Sequence, residues 1–332
     1  MNHNKYNTKS IIELAFMSAF IVVLILLTSY VPIVSMLGIV LLPIPITVIY
    51  LKQNLKSTLS CVFISIILTS FLINPITAIM SALNYAIVGL ALGYCIKSEK
   101  TSYSTLIYIL IASILSMILT LILGAKLIEN KSIIQAINEF AVNISVNMNK
   151  SLEMAMNMYA NLGAPKQVID TLEQMKKVIT KELIISYIPI AILIYSFISS
   201  YINIIITNSV LKKIKLKTFK ILPFTEFYIS NLVGAILIAI ISISVILKSK
   251  GFISNNYITT ITIGLFMIML TINGMASVSY FFIRKNNLSN ITTILIIVAT
   301  FLLGLSNIYM FIGFLEMICD FRKLDPYRIF KR

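Results

Sequence analysis

The stretch "NPITAIMSALNYAIVGLALGYCIK", residues 74–97, is apolar enough for a membrane helix, yet polar and small side chains recur in it at regular spacing. With 3.6 residues per turn, the polar residues fall on one face and the small residues on another, about 100° away. The polar stripe comprises Asn74, Thr77, Ser81 and Asn84, and the small stripe comprises Ala78, Ala82, Ala86, Gly89 and Gly93. Such a helix is expected to contact protein on two sides.

The two stripes predict different roles. Small residues allow helices to approach each other closely within a membrane, so Gly89 and Gly93 are expected to dock a neighbouring span. The polar stripe of Asn74, Thr77, Ser81 and Asn84 is a candidate substrate-binding face. Two interpretations of Asn84, which lies near the middle of the span, remain open: a hydrogen bond to another helix, or contact with a ligand.

The composition of the whole chain agrees with membrane insertion. Of 332 residues, 58% are hydrophobic and 12% charged, and the mean hydropathy is +0.96. Soluble domains carry roughly 25% charged residues, so the fold class is all-α, a polytopic helical membrane protein. Spans need about 20 mainly apolar residues. The candidates are 11–31, 34–51, 57–73, 75–96, 104–124, 183–207, 228–247, 257–282 and 290–318.

Basic residues predict the orientation of these spans. The chain carries 27 Lys+Arg against 12 Asp+Glu, and the lysines cluster beside the apolar segments. Such clusters favour anionic lipid headgroups over nucleic acid as the partner, and cytoplasmic loops carry an excess of them. A cytoplasmic amino terminus places the connectors after the second, fourth, sixth and eighth candidates on the cytoplasmic side.

The last candidate, 290–318, does not fit this pattern as a single crossing. A ninth crossing would put Arg322, Lys323 and the basic residues after them outside. Gly304, Ser306 and Asn307 interrupt its middle. We therefore expect two short half-helices that re-enter and return, with one ordinary span and an external tail as the alternative.

The segment 125–182 is expected to lie outside the cell and to form a helical hairpin. Apolar residues recur at helical spacing in two stretches, separated by Gly163 and Pro165. The hairpin is expected to pack on the membrane surface or on the span ends. A lid over an outward-facing cavity is the alternative.

Residues that support catalysis or metal binding are sparse. The chain has one histidine, His3, and three widely separated cysteines, which form no metal-ligand spacing. The acids closest to spans, Glu13, Glu182, Glu226 and Glu316, lie near span ends without a paired base or nucleophile. We therefore expect no enzyme activity, no metal and no cofactor.

Two further features suggest contacts with other groups. Ala15 and Ala19, four residues apart in the first span, form a candidate docking surface for a separate protein. Pro32, Gly38, Pro43 and Pro45 break the second candidate span. That break is either a ligand-gating loop or a tight external turn with a kinked helix.

The carboxyl-terminal segment suggests a cytoplasmic docking site. Asp320, Arg322 and Lys323 are expected to form a surface ion-pair cluster, and the stretch from Glu316 to Lys323 is a candidate site for a cytoplasmic partner. Exposed pairs of this kind contribute only about 0–1 kcal/mol to stability.

The order of these features in residues 11–217 resembles the substrate-binding S components of energy-coupling-factor (ECF) transporters. Ala15 and Ala19 stand where that family has an AxxxA, "LPIP" where it has a loop and second helix, and 74–97 where it has a helix rich in small residues. The resemblance implies an S-component-like core, 1–217, with the insertion 125–182, followed by additional helices and a basic tail in 218–332. It also implies that Ala15 and Ala19 dock the coupling protein, which works with ATPases.

Nearly the whole chain resembles the YybS-like family of uncharacterised bacterial membrane proteins. "VLKKIKLKTFKILPFTEFYIS" is similar to the family's basic connector, and "GFLEMICDFRK" is similar to its carboxyl-terminal signature, with Ile318 in place of an aromatic. The resemblance implies a multi-pass protein of the bacterial cell membrane. It also suggests a membrane-anchored cyclic-dinucleotide phosphodiesterase as a partner.

Two functions therefore remain in competition. The first is a substrate-binding subunit for the uptake of a small, largely uncharged solute. The second is a non-transporting scaffold or regulator that recruits the phosphodiesterase through its basic cytoplasmic face.

Overall fold

The computed structural model describes residues 8–250 and 257–325, except for the side chains of 32–36, and within these ranges it contains helices but no strand. The α-helices are α1 Thr8–Tyr30, α2 Pro32–Leu41, α3 Pro43–Lys52, α4 Leu55–Leu72, α5 Pro75–Lys97, α6 Ser102–Leu123, α7 Ile133–Asn161, α8 Lys166–Val178, α9 Lys181–Lys213, α10 Asn231–Ser249, α11 Tyr257–Tyr280, α12 Asn290–Leu302 and α13 Ser306–Cys319. The predicted all-α polytopic fold is confirmed.

Seven helices in the described part of the chain are long and apolar enough to cross a membrane, and the bent pair α12–α13 raises the number to eight. The second expected span, 34–51, is not a single crossing. Its apolar helix, Leu37–Lys52, is shorter than a span, and a break at Leu42 divides it into α2 and α3. Each of these short helices begins at a proline, where the missing amide hydrogen is tolerated.

The chain divides into two compact units. Unit 1 contains the residues up to Glu173 together with Ile192–Ile221, and unit 2 contains Gln174–Ala191 together with the residues from Leu222 onward. The sequence predicts a division into 1–217 and 218–332. The units change at Ile221–Leu222, close to that boundary, and the first part of α9 groups with unit 2.

In unit 1, the small stripe of α5 packs against α3. A Cβ on Gly89 would lie 2.7 Å from the Pro43 carbonyl oxygen, and a Cβ on Gly93 would lie 2.7 Å from the Tyr50 ring. The buried Thr47 hydroxyl donates to the Pro43 carbonyl oxygen or to that of Gly89, each 3.0 Å away. Two helices can approach this closely only where one side has no side chain.

In unit 2, α11 and α13 approach equally closely. A Cβ on Gly274 would overlap the Tyr309 carbonyl oxygen, and a Cβ on Gly313 would overlap the Leu270 carbonyl oxygen. The two glycines therefore bring the helix backbones into direct contact.

The helices α12 and α13 form a sharp bend of 117°. Gly304 lies in the break with a φ of +80°, a conformation that glycine adopts without strain. The helices have 13 and 14 residues, about 20 Å each at 1.5 Å per residue, whereas the hydrocarbon core is about 30 Å thick. The expected break into two half-helices is confirmed.

The expected hairpin in 125–182 is also present as helices. α7 begins with a capping box formed by Ser132 and Gln135, and Gly163, with a φ of +69°, follows its end. α7 and α8 cover most of the segment for which two helices were predicted.

Candidate solute cavity

Unit 1 contains a cavity of about 430 Å³, here called the Asn84 cavity. Side chains from five helices and from Leu42 line it, and among the described lining residues none is charged. They are Thr28, Ser29, Gly38, Ile39, Leu42, Ser81, Asn84, Tyr85, Val88, Ser113, Ser116, Met117, Thr120, Leu121, Tyr195 and Ser199. The mixture of hydroxyl, amide and apolar groups suits an uncharged ligand with hydrogen-bonding groups.

Asn84 is the one amide among these residues. Its Oδ1 accepts a hydrogen bond from the Ser116 hydroxyl at 2.9 Å, and its Nδ2 contacts the Met80 carbonyl oxygen at 3.3 Å. A side-chain amide carries two N–H groups and two acceptor lone pairs. The intramolecular bonds orient Asn84 and leave one of each available to a ligand.

Other hydroxyls around the cavity are held by neighbouring helices. Tyr85 shares a hydrogen bond of 2.7 Å with Ser65 of α4, and Ser113 shares one of 3.1 Å with Ser200 of α9. These bonds fix the positions of the lining helices, and therefore much of the polar surface is pre-formed.

The structure brings two of the four predicted substrate-binding residues to the cavity. Ser81 and Asn84 line it, whereas Asn74 and Thr77 are absent from the lining. Asn74 caps α5, where its side chain accepts the Thr77 amide hydrogen at 2.8 Å. The polar stripe therefore combines an ordinary helix cap with two cavity residues.

Sequence reasoning missed the contribution of α6 and α9. Ser113, Ser116 and Thr120 recur at steps of three and four on α6, a polar stripe as regular as that of α5. Tyr195 and Ser199 lie one turn apart on α9. The same periodicity analysis, applied to these spans, identifies them.

Part of the proline-containing segment also reaches the cavity. Gly38 and Ile39 of α2 are lining residues. A Cβ on Gly38 would lie 2.7 Å from Thr28 Cγ2, so α2 packs directly on the end of α1. The segment is therefore a broken helix that borders the cavity.

The cavity lies toward the end of unit 1 that is opposite Lys9, Lys97 and Lys100. Its residues come from the last turns of α1, the first half of α5 and the second half of α6. Lys9, Lys97 and Lys100 mark the opposite ends of these helices. At that end, Lys217 binds Glu99 and lowers the pKa of its carboxyl, chiefly through the hydrogen bond and then through its charge.

The predicted docking residues Ala15 and Ala19 lie on the exposed face of α1, together with Ile12 and Phe16. Glu13, on an adjacent face, lies 3.5 Å from Lys52 of α3. The small surface formed by the two alanines is therefore accessible from outside the chain.

The prediction that Arg322 belongs to a surface ion-pair cluster is wrong. The Arg322 and Glu316 side chains are 0% and 2% exposed, and they form an ion pair of 2.7 Å inside unit 2. Asp320 reverses the chain with a φ of 48°, and this reversal returns Arg322 to the protein interior. Asp320 itself accepts the amide hydrogen of Leu324 at 2.8 Å.

The buried residues form what we call the Arg322 cluster: Glu316, Arg322 and Asn273, with the Thr225 carbonyl. The guanidinium donates to the Thr225 carbonyl oxygen at 2.9 Å and to Asn273 Oδ1 at 3.0 Å. Asn273 in turn donates to the Gly313 carbonyl oxygen at 2.9 Å. Only Lys323 of the four predicted docking residues has an exposed side chain.

Within residues 8–250 and 257–325, no group of three or more His, Cys, Asp or Glu side chains is arranged to hold a metal ion.

Comparison with known proteins identifies relatives. A family model described as "Predicted membrane protein (DUF2232)" matches residues 19–317. The chain is similar to "Uncharacterized protein YybS" of Bacillus subtilis (strain 168), with 20% identity over 245 residues, covering 74% of this chain and 75% of that protein. The expected YybS-like relationship is confirmed. No solved structure matches the chain.

Proposed function

Since the chain belongs to the family described as predicted membrane protein (DUF2232), we propose that unit 1 binds a small, largely uncharged solute in the Asn84 cavity and serves its uptake. The observation that carries this proposal is the chemistry of the lining, in which Asn84 and several hydroxyls surround a space without a charged side chain among its described residues.

The size of the cavity supports a metabolite-sized occupant. Pockets for small molecules typically measure about 300–1,000 Å³ and combine an apolar lining with a few polar groups. The Asn84 cavity measures about 430 Å³. A charged solute buried there would have no countercharge among the described lining residues, and burial of an unpaired charge is unfavourable. The chemistry therefore favours neutral solutes with amide or hydroxyl groups.

The position of the cavity supports capture from outside. Lys9, Lys97 and Lys100 mark the end of unit 1 opposite the cavity, and cytoplasmic loops carry the excess of basic residues. With the amino terminus in the cytoplasm, the cavity occupies the external half of the bundle. Uptake further requires coupling to an energy source, for which the exposed Ala15 and Ala19 are the candidate surface for an ECF-type coupling protein.

The experiment is gentle purification from native membranes followed by native mass spectrometry. Three proteins are compared: the unmodified chain, Asn84→Leu, and the control Asn138→Leu on α7. We expect a stoichiometric small molecule with the unmodified chain and with Asn138→Leu, and none with Asn84→Leu, because leucine has no amide to bind the solute.

The same experiment distinguishes the competing function. A stoichiometric signalling phosphodiesterase, recovered with a chain that retains no small molecule, would reject solute binding in favour of the scaffold. Coupling is tested with Ala15→Leu combined with Ala19→Leu, which should abolish recovery of a coupling protein without removing the bound solute.

A further inference from the structure

A second polar feature of unit 1, here called the α9 polar face, begins beside the Asn84 cavity. It consists of Ser196, Ser200, Asn203 and Thr207, which recur at steps of three and four on α9. All four are 0% exposed. A buried polar face of this length is unusual in a membrane helix, where polar side chains within the protein mark functional paths or hydrogen bonds between helices.

Hydrogen bonds between helices account for only part of this face. Ser200 is bonded to Ser113. Three other buried oxygens, Ser196 Oγ, Asn203 Oδ1 and Thr207 Oγ1, have no hydrogen-bond partner among the residues that the structure describes. A buried polar atom left unpaired costs about 1–3 kcal/mol, and in native proteins such atoms usually bind water, an ion or a ligand.

Asn203 connects the α9 polar face to the cavity. Its Nδ2 lies 2.9 Å from the Ser199 carbonyl oxygen, 3.3 Å from Ser199 Oγ and 3.4 Å from the Ile39 carbonyl oxygen. Ser199 and Ile39 both line the cavity. The Asn203 amide therefore contacts two residues of the cavity wall, and its buried Oδ1 has no partner among the described residues.

The α9 polar face leads away from the cavity toward the lysine-rich end. Thr207 follows Ser199 by eight residues, which corresponds to about 12 Å along the helix axis. One turn further, Leu211 is 0% exposed and continues the same face with an apolar side chain. Lys212 and Lys213 follow directly.

We propose that the α9 polar face is a water-accessible route that extends the Asn84 cavity toward the cytoplasmic end of unit 1, and that Leu211 closes it. Water supplies the missing partners of Asn203 Oδ1 and Thr207 Oγ1 while the route is hydrated. The use of this route by a neutral, hydrogen-bonding solute rests on the proposed function, whereas its access to water does not.

The test is the labelling of single cysteines in the full-length protein in membranes. Cys319 is exposed and is replaced by serine. Cys61 and Cys95 are buried, and the Cys319→Ser protein is first treated with the reagent to show that these two cysteines do not react. Thr207→Cys and the matched control Leu211→Cys are then treated with a small, hydrophilic, charged thiol reagent. Both positions lie on the same side of α9, one turn apart, and both are 0% exposed.

We expect Thr207→Cys to react about tenfold faster than Leu211→Cys, an access difference of about 1.4 kcal/mol. Asn203→Cys should also react faster than the control. Equal and slow labelling of all three, in proteins whose thermal unfolding shows that they are folded, would overturn the proposal.

A second variant tests the route without placing a cysteine at position 207, where the cysteine itself could disturb folding. Thr207→Val keeps the shape and removes the hydroxyl. If the hydroxyl only lacks a partner in a dry interior, the variant should be more stable and labelling at Asn203→Cys unchanged. If the route is hydrated, Thr207→Val should slow labelling of Asn203→Cys several-fold, because loss of the hydroxyl removes a water-binding group from the route.

The labelling experiment can reject the water route and the proposed solute binding independently of each other. Fast labelling of Thr207→Cys in a chain that retains no small molecule would leave the water route standing and reject solute binding. Slow labelling in a chain that retains a solute would reject the route alone.

Discussion

Two asparagines in membrane helices, Asn84 of α5 and Asn273 of α11, show how differently the two units use the same side chain. Asn84 borders a cavity and makes a single bond to another helix, from Ser116. Asn273 is 0% exposed and bonds to both Arg322 and the Gly313 carbonyl. The Asn84 amide retains hydrogen-bonding groups for a ligand, whereas the Asn273 amide uses its groups in bonds within the protein.

In a membrane segment, therefore, a polar residue indicates function only where its surroundings leave some of its hydrogen-bonding groups unpaired. In unit 2 the close crossing at Gly274 and Gly313 brings the polar groups of the Arg322 cluster within reach of each other. In unit 1 the helices around the Asn84 cavity stand apart. Mutations should therefore affect stability in unit 2 and ligand retention in unit 1.

The largest expected effect is the disruption of the buried ion pair. Glu316→Gln leaves Arg322 without its countercharge in a site where the guanidinium is 0% exposed. Removal of one partner of a buried pair destabilises proteins by about 3–5 kcal/mol. We expect a large fall in the thermal unfolding temperature in detergent.

Two comparisons sharpen this prediction. Lys323→Gln, at an exposed position beside the cluster, should leave the unfolding temperature unchanged. Replacement of both charges, with Glu316→Leu and Arg322→Met, should be less damaging than Glu316→Gln alone, because no unpaired charge remains. A Glu316→Gln protein as stable as the unmodified chain would contradict the arrangement.

The next largest effect is expected at the helix crossing. Gly313→Ala places a Cβ against the Leu270 carbonyl oxygen, which is backbone and cannot move aside. Overpacking of this kind costs about 1–3 kcal/mol. Gly234→Ala is the control, because its Cβ would meet the flexible end of Met317. Thermal unfolding should show a clear loss for Gly313→Ala and a smaller one for Gly234→Ala.

A direct comparison of the two asparagines should show a smaller effect in unit 1. Asn84→Ala removes the bond from Ser116, and a neutral hydrogen bond contributes about 1 kcal/mol. Asn273→Ala removes two buried bonds, one of them to a charged group, and should cost about 3 kcal/mol. Chemical or thermal unfolding of both variants gives the ranking, and equal losses would abolish the distinction between the units.

The smallest effect on stability is expected from loss of the exposed ion pair between Glu99 and Lys217. Lys217 lowers the pKa of Glu99, so the folded chain binds this proton less readily than the unfolded chain does. The stabilisation is present at neutral pH and disappears as pH falls through the lowered pKa, below the usual value of about 4.3. Glu99→Gln should lower the unfolding temperature slightly at pH 7, and the difference should vanish in high salt. A difference that persists in salt would show that another contact is involved.

Much of the fold follows from the sequence because its signals are local. The hydrophobic length and the flanking Asn74 and Lys97 predict α5 almost to its ends, and Gly304 marks the break between α12 and α13. Helical periodicity alone is likewise enough to identify the small stripe of α5.

The buried state of Arg322 lacks a local signal. It depends on a chain reversal at Asp320, where φ is positive although few residues other than glycine adopt this conformation, and on acceptors supplied by Thr225 and Asn273. The cavity raises the same difficulty. Ser81 and Asn84 are recognisable on α5, but the choice between them and Asn74 depends on which neighbouring helices stand apart, and this is a property of the assembled bundle.

Whether Asn84 faces a water-filled cavity can be measured from the accessibility of position 84 to a reagent outside the cell. Asn84→Cys and Ile79→Cys, on opposite sides of α5, are compared in whole cells with a membrane-impermeant, hydrophilic thiol reagent. Asn84→Cys should be labelled and Ile79→Cys should not, because one side faces a water-filled chamber and the other faces away from it. Labelling of neither position by this reagent, together with labelling of both by a lipid-soluble maleimide, would contradict the account.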